Sequence, residues 1–393
     1  MSCDTFLAMA LTQERLGARI GHARERAGLS QAELAARVEL TQSAISRIES
    51  GDRGVDSLEL AAIAESLDVS VLDLLESEPI AEELRVAARL HESTEPATVD
   101  RALNRVLDVV RLERLLDELG EPGRGHQQRT ELEPPHTGSA VEQGRRLAER
   151  VRKLWSLGDD PLPSNLFSLI EDQSGVGIAL EPLQERIAGI CVRVADLAIV
   201  LIDSSANVGR QRFTVAHELC HLLVGDGEQV HVDERLTGQS LVEMRANAFA
   251  AHFLMPAKAV RRYLRERTVD EEVMVELQYT FGVSLDALLW QLVNLDLISE
   301  NRRDQIRAVG SKALAFRYGY GSEWDRLEHE RNIRRPPRPV HQRALGAYAK
   351  GLIGIEPLAD LVGRRDIDSL RRDLEDQGVV QDDRWWEQTS PVQ

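Results

Sequence analysis

Cysteine is scarce in this chain: three residues in 393, Cys3, Cys191 and Cys220, at no paired spacing. That scarcity excludes a disulfide-stapled scaffold and a metal cluster held by four cysteines of one chain. It fits a reducing compartment, so a cytoplasmic location is expected. Long hydrophobic runs are missing too. No segment approaches the roughly 18 apolar residues that a membrane span needs. The stretch "FLAMAL" (6–11) is too short for a secretory core, and no basic flank precedes it. Positive charge is not in excess either: the formal net charge of −17 argues against a general affinity for polyanions. Any DNA binding must come from a local surface.

What remains is ordinary globular material, 42% hydrophobic and 29% charged, long enough for two or three domains. The pattern divides it into 10–78, a run of short helices with clean stop signals; 79–140, a charged helical linker; 141–300; and a helical region, 301–393. Within 119–140, "LGEPGRGHQQRTELEPPHTGSA" collects Gly, Pro and polar residues without periodicity, as interdomain connectors do. Past it, "GVGIAL" (175–180), "RIAGICVRV" (186–194) and "LAIVLI" (197–202) read as short strands among amphipathic helices. The fold class is therefore α+β.

Near the start, Ser30-Gln31-Ala32-Glu33 forms a capping box that opens a helix with Leu34, Ala35 and Val38 inward. "ELT" is a tight turn, Thr41 caps a second helix with Ile45 and Ile48 inward, and Gly51 closes it in a left-handed conformation. Two short helices meeting at such a turn make a helix-turn-helix, whose second helix can enter the major groove. Thr41, Gln42, Ser43, Ser46 and Arg47 then become candidate DNA contacts, with Gln31 placed for a phosphate. Charge does not decide the matter, because 12–53 holds seven arginines against six acids. The stretch 12–75 resembles the Cro/C1-type (XRE) helix-turn-helix family, most specifically in "LSQAELA" and "ISRIESG". The resemblance implies a double-stranded DNA operator, read by a homodimer.

The second motif is "RFTVAHELCHLLVGD" (212–226). By chance alone an HExxH would arise in roughly two or three per cent of chains of this composition, so context must carry it. Val215, Leu219, Leu222 and Leu223 form an apolar stripe that leaves His217, Glu218 and His221 on the other side. Histidines at i and i+4 can converge on one zinc ion, and Glu218 beside them can take a proton from water. A third ligand is needed. The helix "SLVEMRANAFAAHFLMP" (240–256) offers Glu243, with Asn247 one turn on; His231, in the loop "GEQVHVDERLTG", is the competitor.

Together "RFTVAHELCHLL" and "EMRANAFAAHFLMP" resemble the ImmA/IrrE metallopeptidases, over about 141–260. The resemblance implies a zincin-like domain, with His217, His221 and Glu243 as ligands of zinc, or alternatively manganese. It also implies Glu218 as general base and Asn247 as a partner orienting a ligand histidine. Proteins of this type cleave a helix-turn-helix repressor, so a protein substrate of that kind is expected. The alternative function is a transcription factor whose peptidase-like domain senses a metal or ligand without cutting. Where the family usually has glycine this chain has Cys220, read as inert packing, the alternative being a thiol that reaches the metal or oxidises. "RNIRRPPRP" (331–339) reads as a solvated basic linker, with a nucleic-acid contact as the alternative.

Overall fold

The computed structural model describes residues 13–67, 69, 71–75, 96–121, 123, 132, 133, 135, 137–183, 187–194, 197–225, 230–234, 240–265 and 267–381. The segment 6–11, the expected helical stretch over 80–95, most of the Gly/Pro-rich connector and Trp385 and Trp386 lie outside the described residues. The chain divides into two compact units, Met1–Glu83 and Leu84–Gln393.

In the first unit five helices follow the caps in the sequence: α1 (Gln13–Arg26), α2 (Gln31–Arg37), α3 (Gln42–Glu49), α4 (Ser57–Ser66) and α5 (Val71–Leu75). Ser30 and Glu33 make the reciprocal capping box, and Thr41 accepts from the Ala44 amide. Between α2 and α3 the chain turns through Glu39 at φ 54. Gly51 ends α3 at φ +80, and a β-carbon there would come within 2.6 Å of Glu14 Cα, so both conformation and space demand glycine. Ile20, Leu34, Ile45, Ile48 and Ile63 fill the core, each contributing about 2 kcal/mol of burial.

The second unit is built on a four-stranded sheet, β1 (Gly177–Glu181), β2 (Ile187–Val194), β3 (Leu197–Asp203) and β4 (Val230–Glu234), in the order β1-β3-β2-β4. β1 runs parallel to β3, and the other two pairings are antiparallel. Its helices before and between the strands are α6 (Pro96–Glu118), α7 (Ala140–Leu154), α8 (Leu166–Ser174) and α9 (Val208–Val224). After β4 come α10 (Leu241–Leu254), α11 (Ala257–Leu264), α12 (Glu271–Phe281), α13 (Leu285–Asn294), α14 (Glu300–Val309), α15 (Ser311–Arg317), α16 (Gly321–His329), α17 (Arg338–Ala349), α18 (Glu356–Val362) and α19 (Ile367–Asp376).

Strand alternation sends Cys191, Ala198, Val200 and Ile202 to the face covered by α9, in one core with α7 and α10. Ile190, Val192, Ile199 and Leu201 are equally buried on the opposite face, where α6 packs on β2 and β3. Two differences from the sequence-based expectation follow. The helix Pro96–Glu118, expected within a linker, belongs to the second unit: Arg105 pairs with Glu181 on β1, and Arg343 of α17 pairs with Glu113 and Asp117. "RNIRRPPRP", expected as a solvated linker, is a strap along the outer edge of β1. Leu180 and Arg335 exchange both backbone hydrogen bonds, at 2.8 and 3.0 Å, and Arg335 pairs with Glu171, which is fully buried on α8. Segment 331–338 is basic because it meets Glu171, Asp172 and Glu181.

Candidate metal centre

Helix α9 starts at Asn207, whose side chain accepts from the Arg210 amide, and stops at Gly225, at φ +72. Its apolar stripe exists as expected, but the opposite face is not solvated: Gln211, Arg212 and every residue from Thr214 to Leu223 are buried. His217, Glu218 and His221 are 1%, 0% and 2% exposed. Three ionisable groups in such surroundings are costly unless they are paired or hold a cation.

The partner element is α10. Ser240 caps it by accepting from the Glu243 amide, while the Glu243 carboxylate is turned to the two histidines. Glu243 Oε2 lies 3.2 Å from His217 Nε2, and Oε1 lies 3.5 Å from His221 Nε2. The two Nε2 atoms face each other at 3.1 Å. His217 Nδ1 lies 3.0 Å from Asn247 Oδ1, so in the tautomer protonated at Nδ1 it donates to Asn247 and Nε2 keeps its lone pair. Ligand atoms at about 2.0–2.1 Å in a tetrahedral site stand about 3.3 Å from one another. The observed separations bracket that value, and two imidazole lone pairs with a carboxylate oxygen are a donor set suited to zinc. The residues fit a divalent metal.

His231 falls on β4, paired opposite Cys191, rather than in a loop; its side chain lies outside the described residues. Cys220 is fully buried in the main core. The helix packing around the cluster depends on residues the motif reading passed over. A β-carbon on Gly144 of α7 would overlap Arg245 O of α10 and stand 2.8 Å from Phe249 N. Gly189 on β2 lies against Thr214 and Glu218. A lone glycine in an apolar strand was the available signal for that close approach. Arg212, on α9, is buried and donates to the carbonyls of Leu162, Pro163 and Ser164, and desolvation pulls its guanidinium down to about 10. A cavity of about 300 Å³ lies at the start of α9, lined by Asn207, Gln278, Tyr279, Ser284 and Trp324, and includes none of the cluster.

In the first unit Thr41, Gln42, Ser43, Ser46 and Arg47 are all exposed on one side of α3. Gln31 differs: its amide donates to Glu49 Oε2 at 2.8 Å, in a network with Arg24, rather than standing free.

Residues 20–74 match a helix-turn-helix family, and residues 173–292 match the IrrE N-terminal-like domain. The chain is 28% identical over 171 residues to the radiation response metalloprotease IrrE of Deinococcus deserti, covering 42% of this chain and 57% of that protein. It is 30% identical over 151 residues to the protein of the same name from Deinococcus radiodurans, covering 36% and 44%. The matched region thus spans about half the length of these relatives. Among solved structures, ComR from Streptococcus suis covers 94% of this chain and 96% of its own at 11% identity, with a TM-score of 0.16. A likeness at that score carries no argument. The chain therefore carries a helix-turn-helix domain and an IrrE N-terminal-like domain, which supports DNA binding and a metallopeptidase. No helix among the described residues is long and apolar enough to cross a membrane.

Proposed function

We propose that the chain is a cytoplasmic DNA-binding regulator whose second unit is a zinc-dependent endopeptidase, cleaving a helix-turn-helix repressor and so derepressing genes. The convergence of His217, His221 and Glu243 on one point, with Glu218 beside the first histidine, carries this reading. Zinc, or manganese in its place, would supply Lewis-acid polarisation of the scissile carbonyl and acidify the attacking water. The chain's residues do the rest. His217, His221 and Glu243 hold the ion, and Asn247 fixes the His217 tautomer. Glu218 accepts the proton of the water and passes it to the leaving amine. Burial keeps bulk water from competing at the reacting groups. Thr41, Gln42, Ser43, Ser46 and Arg47 meet the operator, bound by a homodimer, and Gln31 contributes its backbone position at the start of α2.

Glu218→Gln tests it. The variant keeps zinc and DNA binding but loses cleavage of repressors from the same genome by roughly 10²- to 10⁴-fold. A zinc-loaded Glu218→Gln protein that still regulates normally overturns the peptidase reading and leaves a metal-sensing transcription factor.

A further inference from the structure

Gly189 interrupts the apolar first part of β2, against the helix that carries the two histidines. Its φ is not positive, so the backbone conformation there does not call for glycine. Space does. A β-carbon on Gly189 would lie 2.8 Å from Thr214 Cγ2, 3.3 Å from Glu218 Oε1 and 3.3 Å from Leu201 O. The first distance is closer than real β-carbons stand, and the other two are tight. The ladder with β4 is also irregular at this point. Ile187 pairs with Glu234 and Gly189 with Asp233, so Ala188 is an extra residue in the ladder with β4. Such a bulge re-aims a strand locally. Glu218 is fully buried and has no solvent to retreat into, so whatever occupies the sheet side of its carboxylate decides where the oxygens sit.

We infer that Gly189 is a positioning residue for Glu218: by lacking a side chain it leaves the space that fixes the carboxylate beside the candidate metal centre, an inference that rests on the function proposed above. The nearer contact, to Thr214, would by itself be plain helix-on-sheet packing. The two are separable. Thr214→Ser removes the methyl group, so that Gly189→Ala made in that background leaves Glu218 Oε1 as the nearest side-chain atom.

The test uses the full-length protein loaded with Co²⁺ and titrated with acetohydroxamate, read in the visible spectrum. A hydroxamate chelates the metal through its two oxygens and gives a proton or hydrogen bond to a carboxylate placed as a general base. Thr214→Ser should bind it as the unaltered protein does. Gly189→Ala with Thr214→Ser, and separately Glu218→Gln, should each bind Co²⁺ normally but acetohydroxamate about tenfold more weakly, the size of one charge-assisted hydrogen bond. If the double variant binds acetohydroxamate like Thr214→Ser while Glu218→Gln is weakened, the inference is overturned. Loss of Co²⁺ from the double variant overturns it too, because Gly189 then sets the helix and not the carboxylate. If Glu218→Gln itself binds undiminished, the proposed function fails and this inference with it.

Discussion

Asn247 Oδ1 stands 3.0 Å from His217 Nδ1, reaching from α10 to the histidine of the neighbouring helix. It lies one turn beyond Glu243, so a single helix supplies both the carboxylate of the cluster and the group that orients the opposing imidazole. Removing Asn247 should therefore loosen metal binding without removing a ligand. Asn247→Ala is expected to weaken zinc affinity about 10- to 100-fold, while Asn247→Asp retains it. Competition against a chromophoric chelator measures both.

The cluster itself makes a stronger demand. His217→Ala, His221→Ala and Glu243→Ala should each abolish or sharply reduce the content of about one divalent ion per chain. His231→Ala should affect it less than Glu243→Ala. Metal analysis of the purified variants checks this, and the reverse order would move the third ligand to β4.

Acid should destabilise the second unit through His252. This residue is buried on α10, and desolvation, with the nearby Arg145 charge, pushes its imidazole down to about 4. Gln291 Nε2 lies 3.2 Å from its Nδ1 and donates to the neutral ring. An unfolded histidine titrates near 6.5, so between that pH and about 4 the unfolded chain binds a proton that the folded chain refuses. Stability from this group is full above the window and falls as pH drops through it, by roughly 3 kcal/mol in total. Urea unfolding at several pH values should show the slope, and His252→Gln should flatten it.

On DNA, Arg47→Ala and Gln42→Ala should relax sequence preference, each by about 1–3 kcal/mol of discrimination between bases. Binding of the whole protein to host promoter fragments should weaken steeply with salt. Gln31→Ala should act mainly on folding, through Glu49 and Arg24. A preference unaltered in both Arg47→Ala and Gln42→Ala would remove α3 from the interface.

The strap carries a stability prediction. Arg335→Ala leaves the buried Glu171 with the more exposed Arg338 and the backbone amides of Ile178 and Arg338. The loss should be about 3 kcal/mol, read by denaturant unfolding.

Much of this was legible in the sequence, wherever the signal was local. Ser30, Thr41 and Gly51 act as caps because capping needs only neighbours, and the three apolar runs became β1, β2 and β3. Helical spacing and a family resemblance both pointed to Glu243, whose carboxylate lies beside the two histidines. Long-range pairing was not legible. The arginines of 331–338 look like a solvated run until Glu171, Asp172 and Glu181, over 150 positions earlier, are seen to face them. His231 looked like a loop residue because β4 is short and pairs with β2, a strand about 40 positions earlier. The bond from the Gln31 side chain to Glu49 could not be read because Glu49 lies 18 positions away. Gly144 and Gly189 declare nothing about which backbone or carboxylate approaches them.

The strap also fixes where the protein can be cut. A fragment trimmed to 141–300, the limits the motifs suggest, would keep every proposed ligand. It would lose α6, and so bare Ile190, Ile199 and Leu201 on the back of the sheet. It would also strip the outer edge of β1 and strand Glu171 in the interior without a cation. Exposed apolar strands with an open edge invite association between copies. Such a fragment should collect in the insoluble fraction on expression, whereas one running from about residue 96 through 381 should remain dispersed. The smallest portable piece of this chemistry is therefore more than three times the length of the span from β1 through α10 that holds the sheet and the two motif helices.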